Sequence, residues 1–194
     1  MKYQQSFRRV STIFIVSCFA AAASAASLPI AGVPNFYKID TQVYRGAQPN
    51  LEGFTSLAKL GVKTVIDLRE LGEHSQAAEE AMVKGLNMQY LSIPMKKRAA
   101  PSADVMARIL GLLNDKSVGP VFVHCKRGAD RTGAVIACYR ITHDSWDGSK
   151  ALSEARDDGM SMFQRSLQHY VMKFTPIPTA QQPVQAAEIP TVRQ

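Results

Sequence analysis

The chain has 194 residues, 46% of them apolar and 20% charged, with a formal net charge of +7. That supports one ordinary domain with its own core plus terminal extras. It excludes a collagen, a coiled coil and a wholly disordered chain. The first stretch reads as an export signal. Lys2, Arg8 and Arg9 make a basic start, Val10 to Ala23 is an uncharged, mostly apolar run, and Ala23-Ser24-Ala25 is a small-x-small cleavage pattern. Cleavage after Ala25 removes three positive charges and leaves +4, a mild excess that suits acidic substrates rather than nucleic acid. Ile15-Val16-Ser17-Cys18 resembles a lipobox, so the alternative to a periplasmic or secreted protein is one anchored to a membrane through a lipid on Cys18. An uncleaved span fits less well, because the run falls short of the ~20 residues a crossing helix needs.

Residues 26–35 form a Pro/Gly-containing lead-in and residues 36–174 the folded domain. Residues 175–194, with Pro176, Pro178, Pro183 and Pro190, read as a flexible tail. Within the domain, Gln42 to Arg45 is a short extended piece. Asn50 caps a helix carrying Leu51, Phe54, Leu57 and Ala58 that stops at Gly61. Thr64 to Leu68 reads as a buried strand, Ser75 to Lys84 as a polar helix ending at Gly85, and Gln89 to Ile93 as the next strand, halted by Pro94. Ser102 caps a helix with Val105, Met106, Ile109, Leu110 and Leu113 at helical spacing. Val121 to His124 is a strand, and helices are predicted over 132–142, 144–156 and 161–174. Strands alternating with helices predict an α/β fold, a mostly parallel sheet flanked by helices, with ligands gathering at the carboxyl ends of the strands.

One such end carries His124-Cys125-Lys126-Arg127-Gly128-Ala129-Asp130-Arg131-Thr132-Gly133. Successive amides of a tight loop followed by a helix N-terminus make an anion cradle, so the backbone of Lys126 to Arg131 is expected to bind phosphate. Gly128 allows a turn that a side chain would hinder, and Arg131 offers a planar fork to two phosphate oxygens. The same field favours the thiolate form of Cys125, which makes it a nucleophile. His124 and the Thr132 hydroxyl are candidates for holding the loop, and Thr132 and Gly133, which close the motif, are counted with Lys126, Arg127, Gly128 and Ala129 among the expected substrate-binding residues. Cys125 and Cys138 are separated by a loop and helical turns, too far apart for a disulfide. No Cys/His set has the spacing of a metal site.

These residues resemble the protein tyrosine and dual-specificity phosphatases, whose signature is His-Cys, five residues, Arg, Ser or Thr, Gly. Val43-Tyr44-Arg45-Gly46-Ala47-Gln48-Pro49 and Gly61 to Arg69 are similar to the opening of the atypical dual-specificity phosphatases of bacteria, plants and fungi. The resemblance implies a phosphatase-like catalytic domain over about residues 36–174, hydrolysis through a phosphocysteine, and no metal or cofactor. In this family an aspartate on the loop after the strand ending at Ile93-Pro94 usually serves as general acid. Here that loop, Met95 to Ser102, has no carboxylate, and Asp104 beyond it reads as pairing with its helix dipole. Asp130 is the expected acid, as in myotubularin-like phosphatases with Cys-x-x-Gly-x-Asp-Arg-Thr, with loop bracing as its other reading.

Lys96, Lys97, Arg98, Lys126 and Arg127 give the mouth a basic character. Inositol phosphates, phosphoinositides and phosphorylated proteins are all candidate substrates. Two readings from other classes stand beside the enzyme: a phosphate-binding module without turnover, motivated by the missing loop acid, and a thiol redox sensor using Cys125 and Cys138. Asp67 and Arg69 are expected to pair at the surface, Trp146 to anchor packing, and His74, His143 and His169 to lack evident partners.

Overall fold

The computed structural model of the chain describes residues 29–176. The signal segment, Cys18 and nearly all of the tail lie outside them. Strands β1 (Tyr37–Lys38), β2 (Val43–Gly46), β3 (Thr64–Asp67), β4 (Gln89–Ser92) and β5 (Val121–His124) form one sheet in the order β1-β2-β5-β3-β4. Only the β1–β2 pairing is antiparallel. The helices are α1 (Leu51–Lys59), α2 (Gln76–Gly85), α3 (Ala103–Asn114), α4 (Asp130–His143), α5 (Gly148–Asp157) and α6 (Arg165–Lys173). Strand β1 and a 3-10 turn at Lys116–Val118 carry too little pattern to have been expected.

Side chains alternate across the sheet, so each face has its own core. Val43, Ile66, Val121 and Val123 face α3, α4, α5 and α6, whereas Tyr44, Val65 and Phe122 face Phe54 and Leu57 of α1 and Val83 of α2. Strands covered on both faces are apolar throughout, which is why β5 is Val-Phe-Val-His and every residue of it is buried. Helix α4 is buried along almost its whole length, wedged between the sheet and α5 and α6.

Three predicted helix starts moved by two residues or more. Helix α4 starts at Asp130 rather than Thr132, which places Arg131 in its first turn. Helix α5 starts at Gly148 rather than near Asp144, because Ser145 takes a left-handed φ of 58° and Asp147 becomes the cap, accepting from the Lys150 amide at 2.8 Å. Helix α6 starts at Arg165 rather than Ser161, since the Ser161 amide donates to Asp130 Oδ1 and its hydroxyl accepts from the Phe163 amide in a turn. In register, Gly46, His124 and Asp67 stand side by side at the carboxyl ends of β2, β5 and β3. The loops leaving those three ends build the site.

Candidate active site

Cys125 follows β5 directly and is 2% exposed. Gly128 has φ of 70°, and a Cβ there would overlap the Gly46 carbonyl and the Ala47 amide. Ala129 precedes α4 without offering a side-chain cap, so the first amides of a 14-residue helix are left for a ligand. The loop carbonyls are pinned from outside. Lys126 O accepts from the Gln48 amide at 3.4 Å, Arg127 O from Asn35 Nδ2 at 3.5 Å, and Gly128 O from Arg45 Nη2. With these carbonyls held on one side, the amides of Arg127, Gly128 and Ala129, which lie across the same planar peptide groups, point the opposite way. The Gly133 amide is an exception to the expected donor set, because it donates to Ala129 O at 2.8 Å. Gly133 is needed for packing, since a Cβ there would stand 3.2 Å from Met160 Cε.

Arg45 is wholly buried beneath the loop. Its Nη1 donates to Asp158 at 2.7 Å and its guanidinium lies 5.4 Å from the Tyr37 ring centroid. Burial lowers its pKa, with Asp158, Glu154 and Cys125 pulling the other way. Sequence reasoning placed Arg45 only within a family resemblance. The signal was there in an arginine on an otherwise fully buried strand, where an unpaired charge is not tolerated.

Arg131 is gripped by Glu73, through Nη1 to Oε1 at 2.6 Å and Nη2 to Oε2 at 3.1 Å, and Nη1 also donates to the carbonyls of Leu68 and Met95 at 3.2 Å. A guanidinium has five N–H donors. These bonds leave Nε and one hydrogen of Nη2, which together form one edge able to meet two phosphate oxygens. Burial would raise the Glu73 carboxyl, but hydrogen bonds from Arg131 and the Glu70 amide, with the charges of Arg131 and Lys97, bring it down to about 2. Glu73 was not foreseen; it lies in the turn after β3, where spacing alone assigns no role.

His124 lies between the cradle and a buried cluster, with its Nδ1 3.4 Å from the Cys125 carbonyl oxygen. Its Nε2 stands 3.0 Å from Glu79 Oε1, off a straight hydrogen-bonding line, and its ring stacks on Phe122. Asp67 accepts from Arg69 Nε at 2.9 Å, Arg69 Nη2 at 2.8 Å and the Tyr90 hydroxyl at 2.8 Å, and Arg69 also pairs with Glu79. The expected surface pairing of Asp67 with Arg69 is therefore corrected to a buried one, and His74 gains a partner, Asp67 Oδ2 at 2.9 Å. Burial would raise both carboxyls. Arg69 above all lowers Asp67, and His124 lowers Glu79, and both end below their ordinary values. The ligand atoms of Asp67, Glu79 and His124 lie within 4.8 Å of one another, but the cation between the carboxylates is the Arg69 guanidinium. Glu79 had one sequence signal: it sits four residues before the core residue Val83, on the buried face of α2.

Asp130 Oδ1 accepts from the Ser161 amide at 2.9 Å, while Oδ2 has only a 3.4 Å contact with Arg127. Asp104 lies in the first turn of α3, whose cap Ser102 accepts from the Val105 amide at 3.3 Å. Thr132 is buried and its hydroxyl has no partner among the described residues. Cys138 is buried two turns into α4, where desolvation pushes its thiol far up. His143 stacks on Tyr139 and meets Asp144 at 2.7 Å, and Trp146 packs on the core while receiving Arg140 and Lys150 over its ring.

A thiol at a strand end, inward amides and an arginine in the next helical turn define the cysteine-dependent phosphatase class. The family described as DSP-PTPase phosphatase fused to NAD+ kinase matches residues 36–173, and the chain belongs to it. The chain is 32% identical over 125 residues to dual specificity protein phosphatase TpbA of Pseudomonas aeruginosa, covering 64% of this chain and 55% of that protein. It is 29% identical over 142 residues to inositol diphosphatase DSP5 of Arabidopsis thaliana, covering 69% of this chain and 67% of the relative. The crystal structure of P. aeruginosa TpbA superposes with a TM-score of 0.65 at 28% identity, covering 79% of this chain and 92% of that one. The catalytic core of the PP-IP phosphatase Siw14 from S. cerevisiae, at 22% identity, 76% of this chain, 89% of that chain and a TM-score of 0.67, shares the fold.

Proposed function

We propose that the protein hydrolyses phosphate monoesters through a phosphocysteine. The sulfur of Cys125 attacks phosphorus as the ester P–O bond breaks. The loop amides and the free edge of Arg131 take up charge on the equatorial oxygens. Asp130 gives its proton to the leaving oxygen, and water then cleaves the S–P bond to release inorganic phosphate. One observation carries this: three consecutive loop carbonyls are held on one side, which turns the amides of Arg127, Gly128 and Ala129 to the other, directly after Cys125. TpbA has been crystallised with pTyr, and DSP5 is named an inositol diphosphatase; both phosphorylated proteins and inositol phosphates or phosphoinositides fit the basic mouth. We place the mature protein outside the cytoplasm, on the basis of residues 1–25.

The test is phosphate release from phosphotyrosine peptides, phosphoserine peptides, inositol phosphates and phosphoinositides. The wild type should turn over at least one class, and Cys125→Ser none. Turnover surviving in Cys125→Ser would overturn the mechanism. The Ser161 bond to Asp130 favours a second reading, in which Asp130 only braces the loop and the protein binds phosphate without turnover. That reading requires a phosphorylated ligand to bind with no phosphate released by the wild type. The deep burial of Cys138 removes support from a redox pairing with Cys125.

A further inference from the structure

The three most exposed large apolar side chains among the described residues are Phe163 at 85%, Leu71 at 75% and Met162 at 73%. All three sit on the two loops that grip the cradle. Leu71 lies between Glu70, which accepts from the Lys97 amide, and Glu73, which holds Arg131. Met162 and Phe163 follow Ser161, whose amide holds Asp130. Scattered exposed apolar residues need no explanation, but the three extremes gathered at one mouth do. Exposed cations lie on the same segments, Lys97 held against Glu70 and Glu73 and Arg127 in the cradle loop, while the acids Glu73 and Asp130 are engaged with the cradle itself.

We infer that this mouth is a docking surface for an anionic phospholipid bilayer, with Leu71, Met162 and Phe163 entering the interface and the cations meeting headgroups. A peptide partner would call for a groove beside these residues, and neither of two cavities, of about 360 Å³ between α3, α4 and α6 and of about 600 Å³ along the lead-in before β1, is lined by them. Separate apolar prongs among cations fit a plane of negative charge, where apolar insertion and electrostatic attraction add. No helix among the described residues is long and apolar enough to cross a membrane. The inference deepens the proposed function: the phosphate ester reaching Cys125 is one presented at a lipid surface.

The experiment uses the full chain carrying Cys18→Ser, to exclude lipidation, and vesicles of phosphatidylcholine with or without phosphatidylglycerol. Binding by co-sedimentation should require the anionic lipid and weaken as salt is raised. Leu71→Ser combined with Phe163→Ser should weaken it at least about tenfold, since each removed side chain takes apolar area from the interface. Turnover of a soluble aryl phosphate should be unchanged in that variant. Because the variant keeps the N-terminal apolar run, the difference isolates the loops. Wild type that ignores anionic vesicles, or a double variant that binds them equally, overturns the inference. So does a double variant that loses only phosphopeptide affinity, which would make the rim a peptide contact. Cys125→Ser should bind vesicles like wild type, so loss of aryl phosphate turnover with vesicle binding intact would sink the catalytic reading alone.

Discussion

Two ionic networks flank Cys125, and they are built to opposite specifications. On one side, Asp67, Glu79, Arg69, His124 and Tyr90 are buried together, with the Arg69 guanidinium between the two carboxylates. On the other, Arg131 and Glu73 face the mouth with Lys97 at 3.7 Å, and Arg131 keeps an edge of its guanidinium uncommitted. The sealed network fixes where β5 ends and so where the sulfur sits. The open one orients a cation without using up its donors. Rigidity comes from burial and mutual pairing, and ligand binding from an arginine edge left uncommitted.

The largest effects are expected from breaking the sealed side. Arg69→Met leaves two buried carboxylates uncompensated and should cost about 3–5 kcal/mol in unfolding free energy, read by denaturant melts. Arg45→Met should cost a similar amount by stranding Asp158, but it also frees the Gly128 carbonyl. Inhibition by inorganic phosphate should therefore weaken in Arg45→Met and not in Arg69→Met; equal inhibition in both would remove the cradle role of Arg45.

Next comes Asp130, which borders the open side. Asp130→Asn should slow alkyl phosphate turnover by about 100-fold or more, the usual contribution of a general acid. An activated aryl phosphate, whose leaving group needs no proton, should lose far less. Equal losses would assign Asp130 to bracing through Ser161.

The smallest change is expected on the open side. Glu73→Gln keeps hydrogen-bonding capacity but removes the charge, and should lower kcat about tenfold or somewhat more through a misoriented Arg131. Because the folded carboxyl titrates at about 2 against an ordinary 4.5, Glu73 stabilises the protein above pH 4.5 and loses that contribution as pH falls toward 2. The melting-temperature gap between wild type and Glu73→Gln should be widest above pH 4.5 and close near pH 2. A gap independent of pH would show that the ion pair contributes no charge-dependent stability.

The α/β class, the flanking strands and the loop that carries the proposed nucleophile and arginine were all legible in the chain. They are local: hydrophobic alternation, caps such as Asn50, Ser75 and Ser102, and ten consecutive residues around Cys125. Partners that meet across long sequence gaps were not. Arg45 reaches Gly128 and Asp158, Glu73 reaches Arg131, and Asp67, Glu79 and His124 come together from three separate elements. The Asp67–Arg69 pair was seen in sequence but assigned to the surface, because burial is decided by what packs above a residue and not by the residue itself. Local chemistry chose the reacting group. Only the parallel register that sets Gly46, His124 and Asp67 side by side decided which distant charges would hold it in place.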